Sequence, residues 1–313
     1  MTSLTKKYQV ETLYLVTLDH RICYRLYKNL HSSNDRKMVM LHGAGVAGVD
    51  TWSNIISLLE HWQYILVPDL RGMGDSYALE CFNESLSAEV PTQIDGHNIV
   101  ANATLKNKFV EPSFDVFDLV ADVALMTGQL NWSCFDLAGY SLGGLVAMLY
   151  KQKYPLQVDK QFLLEPGLLD RVSWLETKAL RAQYAQTVEH LRSNHAEQGI
   201  IHFLTTISPN SKATPASQAL AVKRLARRSL GFANALEAVN QAIHDIDREQ
   251  LVAAQGDTLS MVGSLSVESM HLYHQQLSDS MAHWVYHNIA GTDHSLPYQK
   301  PRQISRIFNE HVQ

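Results

Sequence analysis

Residues 133–154 read SCFDLAGYSLGGLVAMLYKQKY, and the architecture of the chain follows from what this stretch must fold into. The part up to Tyr140 is an apolar run typical of a strand that is buried on both faces. The part from Leu142 onward is helical in character, and the pattern Gly-x-Ser-x-Gly at 139–143 joins the two. Because glycines permit a tight bend, we predict a sharp strand-to-helix turn that exposes the side chain of Ser141.

Strand-like and helix-like segments alternate on both sides of this turn. The predicted strands lie at 10–18, 21–29, 37–43, 64–70, 133–141, 159–167, 258–264 and 283–291. Helical spacing of apolar residues appears at 50–62, 115–130 and 303–312. Such alternation is typical of βαβ units, so we predict an α/β fold with a mostly parallel eight-stranded sheet flanked by helices.

Two segments interrupt this alternation. Residues 80–112 are polar and lack periodicity, and we interpret them as a surface excursion. Residues 168–245 are almost entirely helical in character and separate the sixth predicted strand from the seventh. We therefore predict a core in two parts, 1–167 and 246–313, with a helical insertion at 168–245 between them.

The composition, with 46% apolar and 18% charged residues, is ordinary for a soluble globular protein. The net charge of −5 and a pI near 6.3 give no electrostatic reason to expect a nucleic acid or an anionic membrane as partner. Three cysteines without a pairing pattern and an N-terminus without an apolar run predict a reduced cytoplasmic protein. No metal-binding spacing is present, so we expect no metal and no cofactor.

Three loops carry residues suited to nucleophilic catalysis. Ser141 is an alcohol nucleophile, and the backbone N–H of Leu142 would face an oxyanion formed by its attack. A second N–H donor is expected from Ala44 in the HGAG loop, because that loop follows a buried strand. A base is expected late in the chain, and His294 is preferred because its Gly- and Pro-bounded loop also follows a strand.

Four motifs in this order resemble the α/β-hydrolase superfamily. They are VMLHGAG at 39–45, VPDLRGMGDS at 67–76, GYSLGGLVA at 139–147 and GTDHSLPYQKP at 291–301. The resemblance covers about 10–167 and 258–313, the two parts on either side of the helical segment.

This resemblance implies a role for each candidate. Ser141 would be the nucleophile, His294 the general base, and the amides of Ala44 and Leu142 the oxyanion hole. The helical segment would be the cap of the family. In the motif at 67–76, Asp69, Arg71 and Ser76 are expected to be structural.

The acid of the expected triad is not where the family usually has it. The usual place follows the seventh strand, where this chain has Ser264, Leu265 and Ser266. Glu165, at the end of the sixth strand, is the preferred candidate because neighbouring strand ends could both reach His294. Glu268 is the second candidate, and Asp293 or the absence of any acid remains open.

A serine nucleophile with a histidine base predicts acyl transfer. The chain resembles short-chain carboxylesterases, so we expect hydrolysis of an ester or thioester of a small, largely apolar acyl group. An acyltransferase, a carbon–carbon bond hydrolase and a catalytically silent binding protein are the alternatives. A basic cluster at Lys223, Arg224, Arg227 and Arg228 is either a solvated helix face or a dock for an acidic acyl carrier.

Overall fold

The computed structural model describes residues 7–79 and 111–312. In this part of the chain eight strands form one sheet: β1 (Tyr8–Val16), β2 (His20–Asn29), β3 (Lys37–Leu41), β4 (Tyr64–Pro68), β5 (Phe135–Tyr140), β6 (Val158–Leu164), β7 (Thr258–Gly263) and β8 (Trp284–Ile289). A two-residue strand, Tyr77–Ala78, pairs with β2 and makes a ninth. The predicted excursion at 80–112 lies outside the described residues, except for its last two positions.

The strand directions place several strand ends at one edge. The order across the sheet is β1-β2-β4-β3-β5-β6-β7-β8. β2 is antiparallel to both of its long neighbours, β1 and β4, whereas each pair from β4 to β8 is parallel. The loops after β3, β5, β6 and β8 therefore meet at the carboxyl edge of the sheet. The predicted fold class, a mostly parallel eight-stranded sheet, is confirmed.

Helices flank this sheet and fill the interval before β7. Those of the described residues are α1 (Gly48–Ile56), α2 (Val116–Gln129), α3 (Leu142–Lys153), α4 (Trp174–Leu191), α5 (Ala196–Ile207), α6 (Pro215–Leu225), α7 (Ser229–Asp245), α8 (Arg248–Ala253), α9 (Glu268–Ser280), α10 (Leu296–Gln299) and α11 (Pro301–His311). A short 3₁₀ turn, Ala226–Arg228, connects α6 to α7. Within residues 7–79 and 111–312, none of these helices combines the length and the apolar character needed to cross a bilayer.

The strands are buried on both faces, and their side chains alternate between two cores. In β3, Val39 and Leu41 pack into the core that contains α2 and α3. Met38 and Met40 point the other way, into the core that contains α1 and α11. This period of two is what places helices on both sides of the sheet.

The helix predicted at 50–62 is shorter than its apolar spacing suggests. α1 ends at Ile56, and the chain turns through hydrogen bonds from Leu58 N–H to Ile55 and from Leu59 N–H to Ile56. Leu59 and Trp62 are nevertheless fully buried. The apolar pattern continues past the end of the helix because side chains of the following turn pack into the same core.

The helices α4 to α7, which we call the inserted helices, span Trp174–Asp245 between β6 and β7. They have a core of their own, built from residues such as Tyr184, Phe203 and Phe232, and Val46 from the loop after β3 joins it. The inserted helices thus pack against a loop at the carboxyl edge of the sheet. The domain division at residues 167 and 245 stays a prediction.

Candidate active site

Ser141 occupies a strained turn between β5 and α3. Its backbone has φ 53° and ψ −114°, a positive-φ conformation that residues other than glycine rarely adopt. Ser141 N–H donates to Leu164 O at 3.0 Å, and Ser141 O accepts from Gly167 N–H at 2.9 Å. Hydrogen bonds to the end of β6 and the loop after it therefore hold the turn in place.

Glycine is required on both sides of this serine for reasons of space. A Cβ on Gly139 would lie 2.3 Å from Gly143 O, and a Cβ on Gly143 would lie 2.3 Å from Leu41 O. These clashes are with backbone atoms, which cannot swing away. The glycines of the sequence motif thus permit the helix to start close against the sheet.

Glu165 and His294 are in direct contact. The Nδ1 atom of His294 lies 2.7 Å from Glu165 Oε2, and both side chains are buried. A carboxylate accepts, so Nδ1–H must donate, and Nε2 of the neutral ring is then left as an acceptor. The preferred candidate for the acid is the one that the structure places against the histidine.

The other oxygen of Glu165 is hydrogen-bonded to the loop after β7, where the acid of the family is usually found. Glu165 Oε1 accepts from Ser266 Oγ at 2.6 Å and from Gly263 N–H at 2.7 Å. Both donors belong to the end of β7 and its loop. The loop that lacks a carboxylate therefore contributes hydrogen-bond donors that orient the carboxylate from the neighbouring strand.

The two competing acids are in different surroundings. Glu268 is the exposed first residue of α9. Asp293 is buried, but its Oδ1 accepts from Ser295 N–H at 2.9 Å and its Oδ2 from Ser211 Oγ at 2.5 Å. The carboxylate of Asp293 therefore ties the histidine loop to the chain between α5 and α6.

His42 fixes the loop that carries Ala44. Its Nε2 accepts from Leu70 N–H at 2.8 Å, and its Nδ1–H donates to Gly43 O at 2.7 Å. Burial lowers the pKa of His42, which favours the neutral ring that this pair of hydrogen bonds requires. These hydrogen bonds hold the loop that carries Ala44. Leu142 is the first residue of α3, so its N–H has no acceptor within its own helix.

Tyr140, the residue before Ser141, supports the histidine loop. Its hydroxyl donates to His294 O at 2.9 Å, and its ring centre lies 5.1 Å from that of the imidazole. Burial raises the pKa of Tyr140 well above its ordinary value, so the hydroxyl remains a donor. Tyr140 is not among the site residues predicted from the sequence, although its place beside the serine was a signal.

Two adjoining clefts open onto Ser141 and His294. The first, which we call the Tyr298 cleft, is also lined by Arg224, Tyr298 and Ile207. The second, the Arg181 cleft, is lined by Ala44, Leu142 and Glu165 together with side chains of the inserted helices. The predicted nucleophile, base, acid and oxyanion residues thus all border the Arg181 cleft.

The second cleft also contains two charged residues that the sequence analysis missed. Asp170, shortly after β6, and Arg181, in α4, both line it. Asp170 could have been suspected from its place after a strand end. Nothing in the sequence distinguished Arg181 from other helical arginines.

The motif at 67–76 is engaged within the scaffold. Asp69 accepts from Gly48 N–H at 2.7 Å and from Arg25 Nη1 at 3.0 Å. Arg71 pairs with the buried Asp122, and Ser76 Oγ donates to Asp69 O at 2.6 Å. These contacts agree with the structural role expected for the three residues.

The basic cluster does not face solvent as a unit. Arg228 donates to Gly74 O and Ser76 O, and Arg227 pairs with Asp50. Lys223 is exposed, whereas the guanidinium of Arg224 lies 4.0 Å from the ring centre of Tyr298, inside the Tyr298 cleft.

Comparison with known proteins gives a family and a set of similar folds. The model of a family described as the alpha/beta hydrolase family matches residues 38–307. A curated relative, the abhydrolase domain-containing protein abhd-5.2 of Caenorhabditis elegans, is 25% identical over 129 residues. The alignment covers 41% of this chain and 23% of the relative, so the chain spans less than a quarter of the curated relative that it matches.

Solved structures are similar over nearly the whole chain. One is an enol-lactonase from Burkholderia xenovorans, with a TM-score of 0.68 and 15% identity over 96% of this chain and 99% of that chain. Another comes from a study of carboxylesterases of Nitrososphaera gargenis, with a TM-score of 0.68 and 16% identity over 96% and 97% of the two chains. A hydrolase from Pseudomonas aeruginosa reaches 0.67 at 16% identity over 96% and 98%. At these identities the likeness shows a shared fold.

Proposed function

Because the chain belongs to the alpha/beta hydrolase family, we propose that it is a serine hydrolase that cleaves a carboxylic ester or thioester through an acyl-enzyme on Ser141. The observation that carries this proposal is the 2.7 Å contact between His294 Nδ1 and Glu165 Oε2, in a cleft that Ser141 also lines. This contact supports Glu165 as the acid of the proposed triad.

The reaction follows from the arrangement of these groups. Ser141 Oγ attacks the acyl carbon while His294 Nε2 accepts the hydroxyl proton, and Glu165 stabilises the resulting imidazolium. The carbonyl oxygen becomes an oxyanion that accepts from the N–H groups of Ala44 and Leu142. His294 then gives the proton to the departing alcohol or thiol, and the same steps with water release the acid.

The walls of the Arg181 cleft support a mainly apolar acyl group. Phe203, Ile207, Leu236, Val239 and Met270 line it. These side chains leave few polar groups along the walls, which supports a largely apolar acyl group.

A catalytically silent binding protein is the less supported alternative. That hypothesis depended on the serine where the family acid is expected. Since Ser266 donates to Glu165, the serine is part of an arrangement that includes a carboxylate.

Replacement of Ser141 tests the proposal. Ser141→Ala should reduce turnover of a panel of acyl esters by a factor on the order of 10⁶, because the nucleophile is lost. A fluorophosphonate probe should label the unaltered protein at Ser141. Ser193→Ala, which alters an exposed serine between α4 and α5, serves as the control and should keep full labelling and activity. If Ser141→Ala kept more than about a tenth of the activity, the assignment of the nucleophile would be wrong.

A second proposal is that the leaving group of the substrate is an acidic acyl carrier. The observation that favours it is Arg224, because it stands in the Tyr298 cleft without an acidic partner among the described residues. Arg224→Gln should raise KM for an acyl group on coenzyme A several-fold but leave KM for a methyl ester unchanged. Arg306→Gln, an exposed change in α11, is the control. Equal effects of Arg224→Gln on both substrates would contradict the carrier proposal.

A further inference from the structure

One buried ion pair in the Arg181 cleft has no task in the proposed reaction. Asp170 and Arg181 line the same cleft as Ser141 and His294, and they are 7% and 9% exposed. The side chains around them are largely apolar. A charged pair in such surroundings must be compensated by good geometry, because desolvation is costly for both ions.

The geometry of this pair is poor. A single contact, Arg181 Nη2 to Asp170 Oδ2 at 3.3 Å, connects the two side chains. An arginine and a carboxylate commonly form two parallel hydrogen bonds of about 2.8 Å. Here Arg181 Nε and Asp170 Oδ1 are both buried and without a hydrogen-bond partner among the described residues.

A third polar group in the neighbourhood is also unpaired. The hydroxyl of Tyr184 has no partner in the described part of the chain, and its residue is fully buried. The guanidinium carbon of Arg181 lies 5.2 Å from the centre of the Tyr184 ring. Buried polar atoms without partners are uncommon in native proteins, and the two that belong to cleft-lining residues, Asp170 and Arg181, point to a ligand.

The chemistry of the unpaired atoms defines that ligand. Arg181 Nε is a donor, and Asp170 Oδ1 is an acceptor. An alkyl group would leave both atoms unpaired, and a carboxylate would meet the carboxylate of Asp170. A hydroxyl group accepts one hydrogen bond and donates another, so its chemistry matches the donor and the acceptor.

We propose that Asp170 and Arg181 form a subsite for a hydroxyl group on the acyl chain of the substrate. The inference rests on the proposed function and refines it, because the acyl group is then apolar along its length and polar at the point that reaches α4. Asp170 and Arg181 act as specificity-determining residues and take no part in bond cleavage.

Matched pairs of methyl esters test this subsite on the intact protein. Each pair consists of an ω-hydroxy acid and the acid that has a methyl group in place of the hydroxyl, over a series of chain lengths. At the length that reaches the pair, kcat/KM should be about tenfold to hundredfold higher for the hydroxy ester. The corresponding dicarboxylic monoester should be a poorer substrate than the hydroxy ester.

Variants of Asp170 and Arg181 test whether these two residues cause the preference for the hydroxy ester. The double variant Arg181→Met with Asp170→Leu replaces the ion pair by apolar side chains, and the ratio of the two kcat/KM values should fall to about one. Asp170→Asn, which preserves the shape of the side chain, should lower the ratio as well and serves if the double variant does not fold. Lys178→Met removes an exposed cation from the same helix and should leave the ratio unchanged.

The outcomes separate this inference from the proposed function. Equal turnover of both esters at every length, or a ratio that the double variant does not change, would overturn the subsite alone. Absence of both turnover and labelling at Ser141 would overturn the proposed function. Calorimetric binding of the same hydroxy acids to the Ser141→Ala protein tests the subsite without turnover, and equal affinity for hydroxy and alkyl acids would exclude it.

Discussion

At the scale of single residues, the carboxylate of Glu165 has a separate set of partners for each oxygen. One oxygen faces His294, and the other is held by Ser266 and Gly263 from the next strand end. Glu165 itself has a positive φ of 41°, which turns the chain sharply at the end of β6. Two donors on one oxygen leave the carboxylate little freedom to rotate away from the imidazole.

Replacement of this carboxylate should therefore affect catalysis more than binding. Glu165→Gln should lower kcat by roughly 10³–10⁴ and change KM little, because an amide cannot stabilise the imidazolium. Steady-state kinetics with a simple ester measures both constants. Glu268→Gln is the matched control, and its effect should be less than tenfold. The reverse ranking of the two variants would return the acid to the loop after β7.

Sequence patterns identify some of these residues and not others. Ser141 has a local motif, and His294 lies in a loop that follows a strand, so both positions could be predicted. The hydroxyl of Ser266 could not, since a serine in place of an acid suggests a loss until the neighbouring strand is known. The pairing of Asp170 with Arg181 depends on how α4 packs, which no local pattern encodes.

At the scale of elements, α7 makes a close backbone contact with the loop after β4. A Cβ on Gly231, in α7, would lie 1.7 Å from Gly72 O. Gly72 itself has a φ of 67°, a left-handed conformation that favours glycine at this position. The inserted helices are thus joined to the core at a point where the two backbones nearly touch.

A substitution at this contact should destabilise the protein. Gly231→Ala introduces a methyl group against backbone, and overpacking of this kind typically costs about 1–3 kcal/mol. Urea unfolding followed by circular dichroism measures the change in the free energy of unfolding.

A second helical glycine gives the opposite expectation. A Cβ on Gly128, in α2, would have no neighbouring atom of the described residues within 4 Å. Gly128→Ala should therefore stabilise the protein by about 0.5–1 kcal/mol, because alanine is the better helix former. A stabilising effect of Gly231→Ala would show that α7 and the loop are not in contact in solution.

Element types are easier to predict than element ends. The β6 strand was predicted at 159–167 and ends at Leu164, because Glu165 turns the chain and Pro166 has no N–H to continue the ladder. The periodicity of Trp52, Ile55 and Ile56 indicated α1 correctly, whereas Leu59 and Trp62 extended the pattern beyond its end. The spacing of apolar residues indicates which residues are buried, and residues in a turn after a helix can be buried as well.

At the scale of the whole molecule, buried histidines connect stability to pH. His274, in α9, is fully buried, and burial lowers its pKa from 6.5 to about 4, although the charge of Glu165 acts in the opposite direction. Burial also lowers the pKa of His42. Both rings are neutral in the folded protein over a range in which the unfolded chain binds protons.

The free energy of unfolding should therefore decrease as the pH falls. Between pH 6.5 and about 4 the unfolded chain binds a proton at residue 274 that the folded protein does not, so stability is complete above this window and lost through it. One such group contributes a slope of up to about 1.4 kcal/mol per pH unit. His274→Leu should remove this part of the slope in urea unfolding measured from pH 7 to pH 4. His244→Gln, at an exposed position of α7, should leave the slope unchanged. An unaltered slope in His274→Leu would mean that the ring is protonated in the folded state.

The position of Glu165 in the sequence, before the inserted helices, determines when it is synthesised relative to the other residues of the proposed site. The proposed nucleophile and acid lie on consecutive strands, β5 and β6, and both leave the ribosome before the first inserted helix. The proposed base follows β8, the last strand of the sheet. A growing polypeptide therefore contains two members of the proposed triad while the inserted helices and the last two strands are still being made, and it lacks the proposed base. A chain that ends before residue 294 lacks the proposed base, so it should not show the proposed activity.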